Sequence, residues 1–187
     1  MRERVSLALV HHPTLDRRGA VVATAVTTLD LHDFARLGRT YGLGPVYAAT
    51  PLDGQRSLVA RLLGHWVGGR GGELNPGRRE ALESLRVVGS LPEAARDLEM
   101  RWGEPPVLLG TSAREGPDRL GFRQARALLR DGGQPALLVF GTGWGLAPEA
   151  VAACRWVLEP VRGAGGYNHL SVRSAASIVV DRLLGPD

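Results

Sequence analysis

The sequence predicts an α/β fold, a mostly parallel sheet flanked by helices and formed as one domain over residues 1–187. Two observations carry the prediction. Short β-rich runs alternate with helical patterns along most of the chain, as in folds built from parallel strands and crossover helices. Most of the strand candidates are also continuous apolar runs, which strands buried on both faces require. The size is compatible: 187 residues, 44% apolar and 22% charged, suffice for one sizeable core.

In chain order, strands are predicted at Val5–Val10, Pro45–Ala49, Leu85–Val88, Val107–Thr111, Ala136–Phe140 and Arg155–Glu159. The run at Leu85–Val88 is interrupted by Arg86 and is the shortest on apolar content. Helices are predicted at Asp30–Tyr41, Gln55–Trp66, Pro76–Leu82, Pro92–Arg101, Phe122–Arg130, Pro148–Ala153 and Ser171–Leu184. Asn75-Pro76 and Ala147-Pro148 place proline in a first helical turn, where its missing N–H costs nothing. Gly68-Gly69-Arg70-Gly71-Gly72 reads as a flexible loop between two helices.

The formal charge is +4, and all the basic charge is arginine, with no lysine in the chain. Arginine suits bidentate phosphate contacts and base stacking, although a GC-rich genome gives the same usage. The clusters are Arg17-Arg18, Arg36 with Arg39, Arg70, and Arg78-Arg79. No apolar run approaches the roughly 20 residues that span a bilayer. Met1-Arg2-Glu3-Arg4 leads straight into a strand-like run without a signal-peptide pattern. A cytoplasmic protein without membrane partners is therefore expected. The single cysteine, Cys154, excludes an intrachain disulfide and a multi-cysteine metal site, and is expected as a packed thiol within a helix. The five histidines lack zinc-ligand spacing, so no metal is expected. Neither a Walker A loop nor a G-x-S-x-G elbow occurs.

Three ligand-type turns crowd the last fifty or so residues. Gly141-Thr142-Gly143-Trp144-Gly145 follows an apolar strand and precedes a helix. Leu146 breaks the G-x-G-x-x-G dinucleotide pattern at its last position, but Glu159 lies near the spacing of a ribose-binding acid. Val157-Leu158-Glu159-Pro160-Val161 forms the second turn. Gly165-Gly166-Tyr167-Asn168-His169-Leu170-Ser171 runs directly into a small-residue helix, presenting free N–H groups and the positive end of a helix dipole. The residues alone lead to a nucleotide-like ligand held by three successive loops beside arginines. They leave open an adenosine-type ligand and a nicotinamide or flavin dinucleotide.

On these three turns the chain resembles the SPOUT, or α/β-knot, superfamily of S-adenosylmethionine-dependent RNA methyltransferases. Asn168-His169-Leu170-Ser171-Val172-Arg173-Ser174-Ala175-Ala176 is similar to that family's asparagine-and-serine loop and alanine-rich helix. Asp30 to Gly42 resembles its first motif, with Arg36 at the arginine position and Asp30 where asparagine is usual. The layout is closest to small, single-domain members similar to tRNA guanine-N1 methyltransferases. The resemblance implies a C-terminal deep trefoil knot, a homodimer, S-adenosylmethionine as cofactor, and tRNA or rRNA as substrate. It implies a cofactor site at Thr111, Ser112, Phe140, Gly141, Gly143, Leu158, Glu159, Pro160, Val161, Asn168, Leu170 and Ser171. Arg36, Asn168 and Glu159 are its implied catalytic residues, and Arg17, Arg18, Arg36, Arg39, Arg70 and Arg173 the implied RNA contacts. Two alternatives stand beside it: a knotted RNA-binding protein without turnover, and a nucleotide-dependent oxidoreductase.

Overall fold

An interior strand of the sheet, β1 (Val5–Val10), is buried at every residue. The computed structural model describes residues 2–131 and 133–186. The other strands are β2 (Thr14–Leu15), β3 (Val21–Val22), β4 (Val46–Ala49), β5 (Leu85–Val88), β6 (Val107–Gly110), β7 (Arg119–Leu120), β8 (Ala136–Gly141) and β9 (Trp156–Leu158). Seven of them form one sheet in the order β5-β4-β1-β8-β6-β9-β7, and every pairing in it is parallel. The mostly parallel sheet expected from the apolar runs is therefore present. β2 and β3 form a separate antiparallel hairpin.

The helices are α1 (Thr28–Tyr41), α2 (Asp53–Trp66), α3 (Arg70–Leu74), α4 (Pro76–Leu82), α5 (Leu91–Trp102), α6 (Phe122–Asp131), α7 (Pro148–Ala152) and α8 (Val172–Leu184). Side chains alternate across each strand, so the sheet feeds two separate cores. Leu7, Leu9, Val46, Ala48, Leu138 and Phe140 face α1, α2, α4, α6 and α8. Ala8, Val10, Tyr47, Ala49, Leu137 and Val139 face α5 and α7. Phe34 of α1 meets Phe140 edge-on at 5.6 Å, a contact of about 0.5–1.5 kcal/mol beyond simple burial.

Helix starts follow the local chemistry. Thr27 caps α1 by accepting from the Asp30 N–H at 3.2 Å, Asn75 caps α4, and Ser171 caps α8 through the Ser174 N–H at 3.2 Å. Such caps are worth about 1 kcal/mol each.

Three expectations need correction. The glycine-rich stretch around Arg70 is not a loop: it contains α3, with Gly71 and Gly72 buried. A Cβ on Gly71 would lie 2.6 Å from the His65 Nε2, and one on Gly72 2.3 Å from the Trp66 carbonyl. The glycines thus serve a close fold-back of α3 onto α2. Strands β2, β3 and β7, absent from the predicted set, are each two residues long, too short for alternation to register. Cys154 lies past the end of α7 rather than inside it, because α7 stops at Ala152. Its Sγ donates to the Ala150 carbonyl.

Candidate functional site

A cavity of about 820 Å³ opens where the carboxyl ends of β6, β8 and β9 meet. That edge of a parallel sheet is where α/β proteins hold ligands, because the connecting loops diverge there. Five loop segments build the walls. The stretch before and at the start of α1 gives Thr24, Ala25, Thr27 and Asp30. The turn after β6 gives Thr111 to Arg114, and the turn after β8 gives Gly141 to Gly145. Leu158, Glu159 and Val161 follow β9, and Gly166 and 168–172 lead into α8, which adds Ala175 and Val179.

The turn after β8 is tightly folded. A Cβ on Gly141 would sit 2.5 Å from the Leu146 N, and one on Gly143 2.9 Å from the Leu15 carbonyl. Gly143 also has φ +60°, a conformation costly for any residue with a Cβ. These glycines let the turn close on itself and on the β2–β3 hairpin, and a smooth backbone wall for a ligand results. Two bonds tie the hairpin to the turn: Trp144 N–H to the Leu15 carbonyl and Leu15 N–H to the Gly145 carbonyl, both 2.9 Å.

Behind this wall runs a buried polar chain. Thr142 Oγ1 donates to the Val10 carbonyl at 3.0 Å, so it accepts from Thr24 Oγ1. Thr24 Oγ1 also donates to the His11 carbonyl at 3.4 Å and lies 3.1 Å from His11 Nδ1, while Nε2 of the fully buried ring stands outside any hydrogen bond. Burial holds the His11 pKa down at about 4, against the opposing pull of Asp30.

The charged wall is equally organised. Asp30 accepts from Thr27 Oγ1 at 2.6 Å and pairs with Arg173 Nε at 3.1 Å. Arg173 Nη1 also donates to Asp33 at 3.0 Å, which locks the first turn of α8 to α1. Glu159 accepts from the first N–H of α6, that of Phe122, at 2.9 Å. Asn168 donates from Nδ2 to the Ala113 carbonyl at 3.1 Å, joining the loops that follow β6 and β9.

Of the cofactor residues implied by the sequence, Thr111, Ser112, Phe140, Gly141, Gly143, Leu158, Glu159, Val161, Asn168, Leu170 and Ser171 line this one cavity. Pro160 does not: it is buried, while its neighbours Glu159 and Val161 line the cavity. Arg36 lies in a neighbouring groove of about 370 Å³ between α1 and α8, which shares Ser171 with the cavity and includes Arg173. Arg39 is paired with Glu80. Arg17 and Arg18 are exposed between β2 and β3, and Arg70 stands on α3, remote from the cavity lining.

Sequence reasoning missed the contribution of Thr24, Thr27 and Asp30. The T-x-x-D pattern of Thr27 and Asp30 is a helix-start signal, but nothing local shows which way the preceding loop turns. Trp144 and His169 also line the cavity. Among the described residues, no group of three His, Cys, Asp or Glu side chains is disposed to hold a metal.

Fold and site together define an α/β protein with a nucleotide-sized pocket at the carboxyl edge of its sheet. The chain belongs to the family of SAM-dependent RNA methyltransferases, whose family model matches residues 4–185. It is 47% identical over 178 residues to a tRNA (guanine-N(1)-)-methyltransferase of Oleidesulfovibrio alaskensis, covering 95% of this chain and 41% of the relative. An equally similar relative comes from Nitratidesulfovibrio vulgaris. The chain thus spans about two-fifths of the length of these curated relatives. An uncharacterized protein of Aquifex aeolicus is 38% identical, with 98% of this chain and 89% of that protein covered. Among solved structures, a probable methylase family protein from Haemophilus influenzae superposes with a TM-score of 0.66 at 20% identity, covering 98% and 66% of the two chains. The SpoU methyltransferase AviRb from Streptomyces viridochromogenes, in complex with AdoMet, gives 0.59 at 16% identity, covering 98% and 60%. These two structures share the fold.

Proposed function

We propose that this chain binds S-adenosylmethionine in the 820 Å³ cavity and transfers its methyl group to RNA, with tRNA as the substrate. The observation that carries this reading is the convergence of eleven implied cofactor residues, from the three loops that follow β6, β8 and β9, on one pocket. The pocket fits the cofactor chemically. Gly141 and Gly143 keep one wall free of side chains, while Thr27, Ser112, Ser171, Glu159 and Asn168 offer partners for hydroxyl, amino and carboxylate groups.

The cofactor supplies a methyl group already activated on a sulfonium, so the protein's part is positioning, proton handling and exclusion of water. Glu159 keeps one oxygen on the Phe122 N–H and has the other for a ligand donor or the proton leaving the RNA acceptor. Asn168, fixed on Ala113, holds the two loops that close over the pocket. Arg36, beside Ser171 in the adjoining groove, is assigned to an RNA phosphate. Arg17, Arg18, Arg39, Arg70 and Arg173 complete the proposed RNA-facing cations, with Arg39 and Arg173 held by their ion pairs. The deep knot and the homodimer are further parts of the proposal. Both rest on the family resemblance; the insertion of β8 between β1 and β6 and the packing of α8 against α1 and α6 bear on the knot alone.

Calorimetric titration with S-adenosylmethionine, in parallel with NAD, tests the reading. The parent protein should bind the former at micromolar levels and not the latter. Gly143→Val should abolish binding, since its branched side chain meets the Leu15 carbonyl and Thr24. Methyl transfer to bulk tRNA from the radiolabelled cofactor then separates an enzyme from a silent RNA-binding protein. Absence of cofactor binding by the parent would overturn the proposal.

A further inference from the structure

Three tryptophans of this chain lie beneath an arginine. Arg78 covers Trp66 at 4.7 Å, Arg4 covers Trp102 at 4.9 Å and Arg155 covers Trp156 at 5.0 Å. The fourth, Trp144, is different. Among the described residues it carries no guanidinium, and its ring neighbour is His169, edge-on at 6.1 Å. It is 48% exposed and yet lines the cavity. Tyr167, 80% exposed, continues the row at 5.2 Å from His169. Of the large apolar side chains exposed among the described residues, the two aromatic ones are Trp144 and Tyr167, and both stand at this rim. Leaving such rings in water forgoes the burial that normally places them inside. A cluster of them at the mouth of a pocket marks a surface that a partner covers.

We propose that Trp144 and His169, extended by Tyr167, form the seat on which a splayed-out nucleobase of the RNA stacks at the mouth of the cofactor cavity. This rests on the methyltransferase reading above. Bases lifted out of a stack are held on aromatic faces and read at their edges, and the sequence-tolerant part of that grip is a flat ring of this kind. The backbone around Trp144 supplies the second half of the fit. Its N–H is bonded to the Leu15 carbonyl, so the exposed Arg17-Arg18 tip of the hairpin begins two residues from the tryptophan's own anchor. Base stacking and phosphate contact therefore come from one rigid unit, a hairpin tied to a glycine turn. Arg36 and Arg173 lie on the other side of Ser171, giving the strand a cationic path past the aromatic row.

The test uses Trp144→Ala and Trp144→Phe in the full chain, with three readouts: thermal unfolding, calorimetric S-adenosylmethionine binding, and filter binding of bulk tRNA without cofactor. Loss of one stacked base weakens RNA binding by roughly 5- to 150-fold. Trp144→Ala is expected to lose at least fivefold in RNA affinity, Trp144→Phe to stay within about threefold of the parent, and both to unfold at the parent's temperature. Where the parent transfers methyl groups, Trp144→Ala should raise KM for tRNA by a larger factor than it weakens cofactor binding. Unchanged RNA affinity in a folded Trp144→Ala protein would overturn the base seat while leaving the cofactor reading intact. Equal loss in the Ala and Phe variants would overturn stacking as the cause. Failure of the parent to bind S-adenosylmethionine sinks the methyltransferase reading instead, and the filter-binding comparison still decides the seat.

Discussion

Acidification should unlock the buried polar chain behind the cavity before it affects the rest of the fold. His11 is fully buried, with Nδ1 3.1 Å from Thr24 Oγ1, and burial outweighs the Asp30 charge and the Ala25 backbone that favour its protonation. Burial lowers its pKa from 6.5 to about 4. Because the folded-state value is the lower one, the unfolded chain takes up its proton first as pH falls. The contribution to stability is therefore complete above about pH 6.5 and is lost progressively towards pH 4. At pH 5 the loss from this one group amounts to about 2 kcal/mol, approaching about 3 kcal/mol at pH 4. The assay is urea unfolding at intervals from pH 7.5 to 4.5, comparing the parent with His11→Gln, whose amide can still hydrogen-bond Thr24. The variant should be less stable at pH 7.5, yet the gap should narrow by about 2 kcal/mol by pH 5. A gap that stays constant over this range would refute the assignment of His11 as a buried neutral ring.

Two other perturbations probe the walls of the site. Arg173→Gln removes the cation held between Asp30 and Asp33 and should cost about 1–2 kcal/mol, measured by denaturant unfolding, with Asp30→Asn recovering part of that loss in the double variant. Cys154, whose thiol is pushed up to about 11 by burial, should react with iodoacetamide at pH 8 roughly 100-fold more slowly than an unstructured cysteine peptide, and at the peptide's rate once the protein is unfolded in urea.

The parts of this molecule that were legible in the sequence are those whose signal is local. β1 is buried throughout, so its apolar run marks it without knowledge of its neighbours. α4 starts where Asn75-Pro76 says it should, because cap and proline act within one turn. The turns after β8 and β9 stood out because glycine and proline punctuate strand ends. What stayed hidden depends on distant partners. Asp30 becomes a wall of the cavity only when Arg173, 143 positions later, folds back to pair with it. The Arg70 stretch reads as a linker until His65 and Trp66 are seen to require glycine opposite them. Pro160 is buried while Glu159 and Val161 beside it line the cavity, a placement that composition does not encode.

The contrast between the floor and the rim of the cavity suits a protein that must hold one small ligand and admit one large one. The floor is made from the carboxyl ends of buried parallel strands, and the Gly141 turn is packed so closely that an added Cβ would strike backbone at 2.5 Å. A floor of that kind is in place before the ligand arrives, so little ordering cost opposes small-molecule binding. On the rim, Gly163, Gly165 and Gly166 have nothing near the position of an added Cβ, and the aromatic side chains stand out towards water. An RNA strand varies in shape far more than a cofactor does, and an open, glycine-rich rim can follow it without disturbing the floor. The two regions meet at Ser171, which caps α8 and lines both the cavity and the arginine groove. The Arg173 clamp holds that cap against α1, so the cavity and the arginine groove keep one fixed relation, which is the positioning that the proposed methyl transfer to RNA demands.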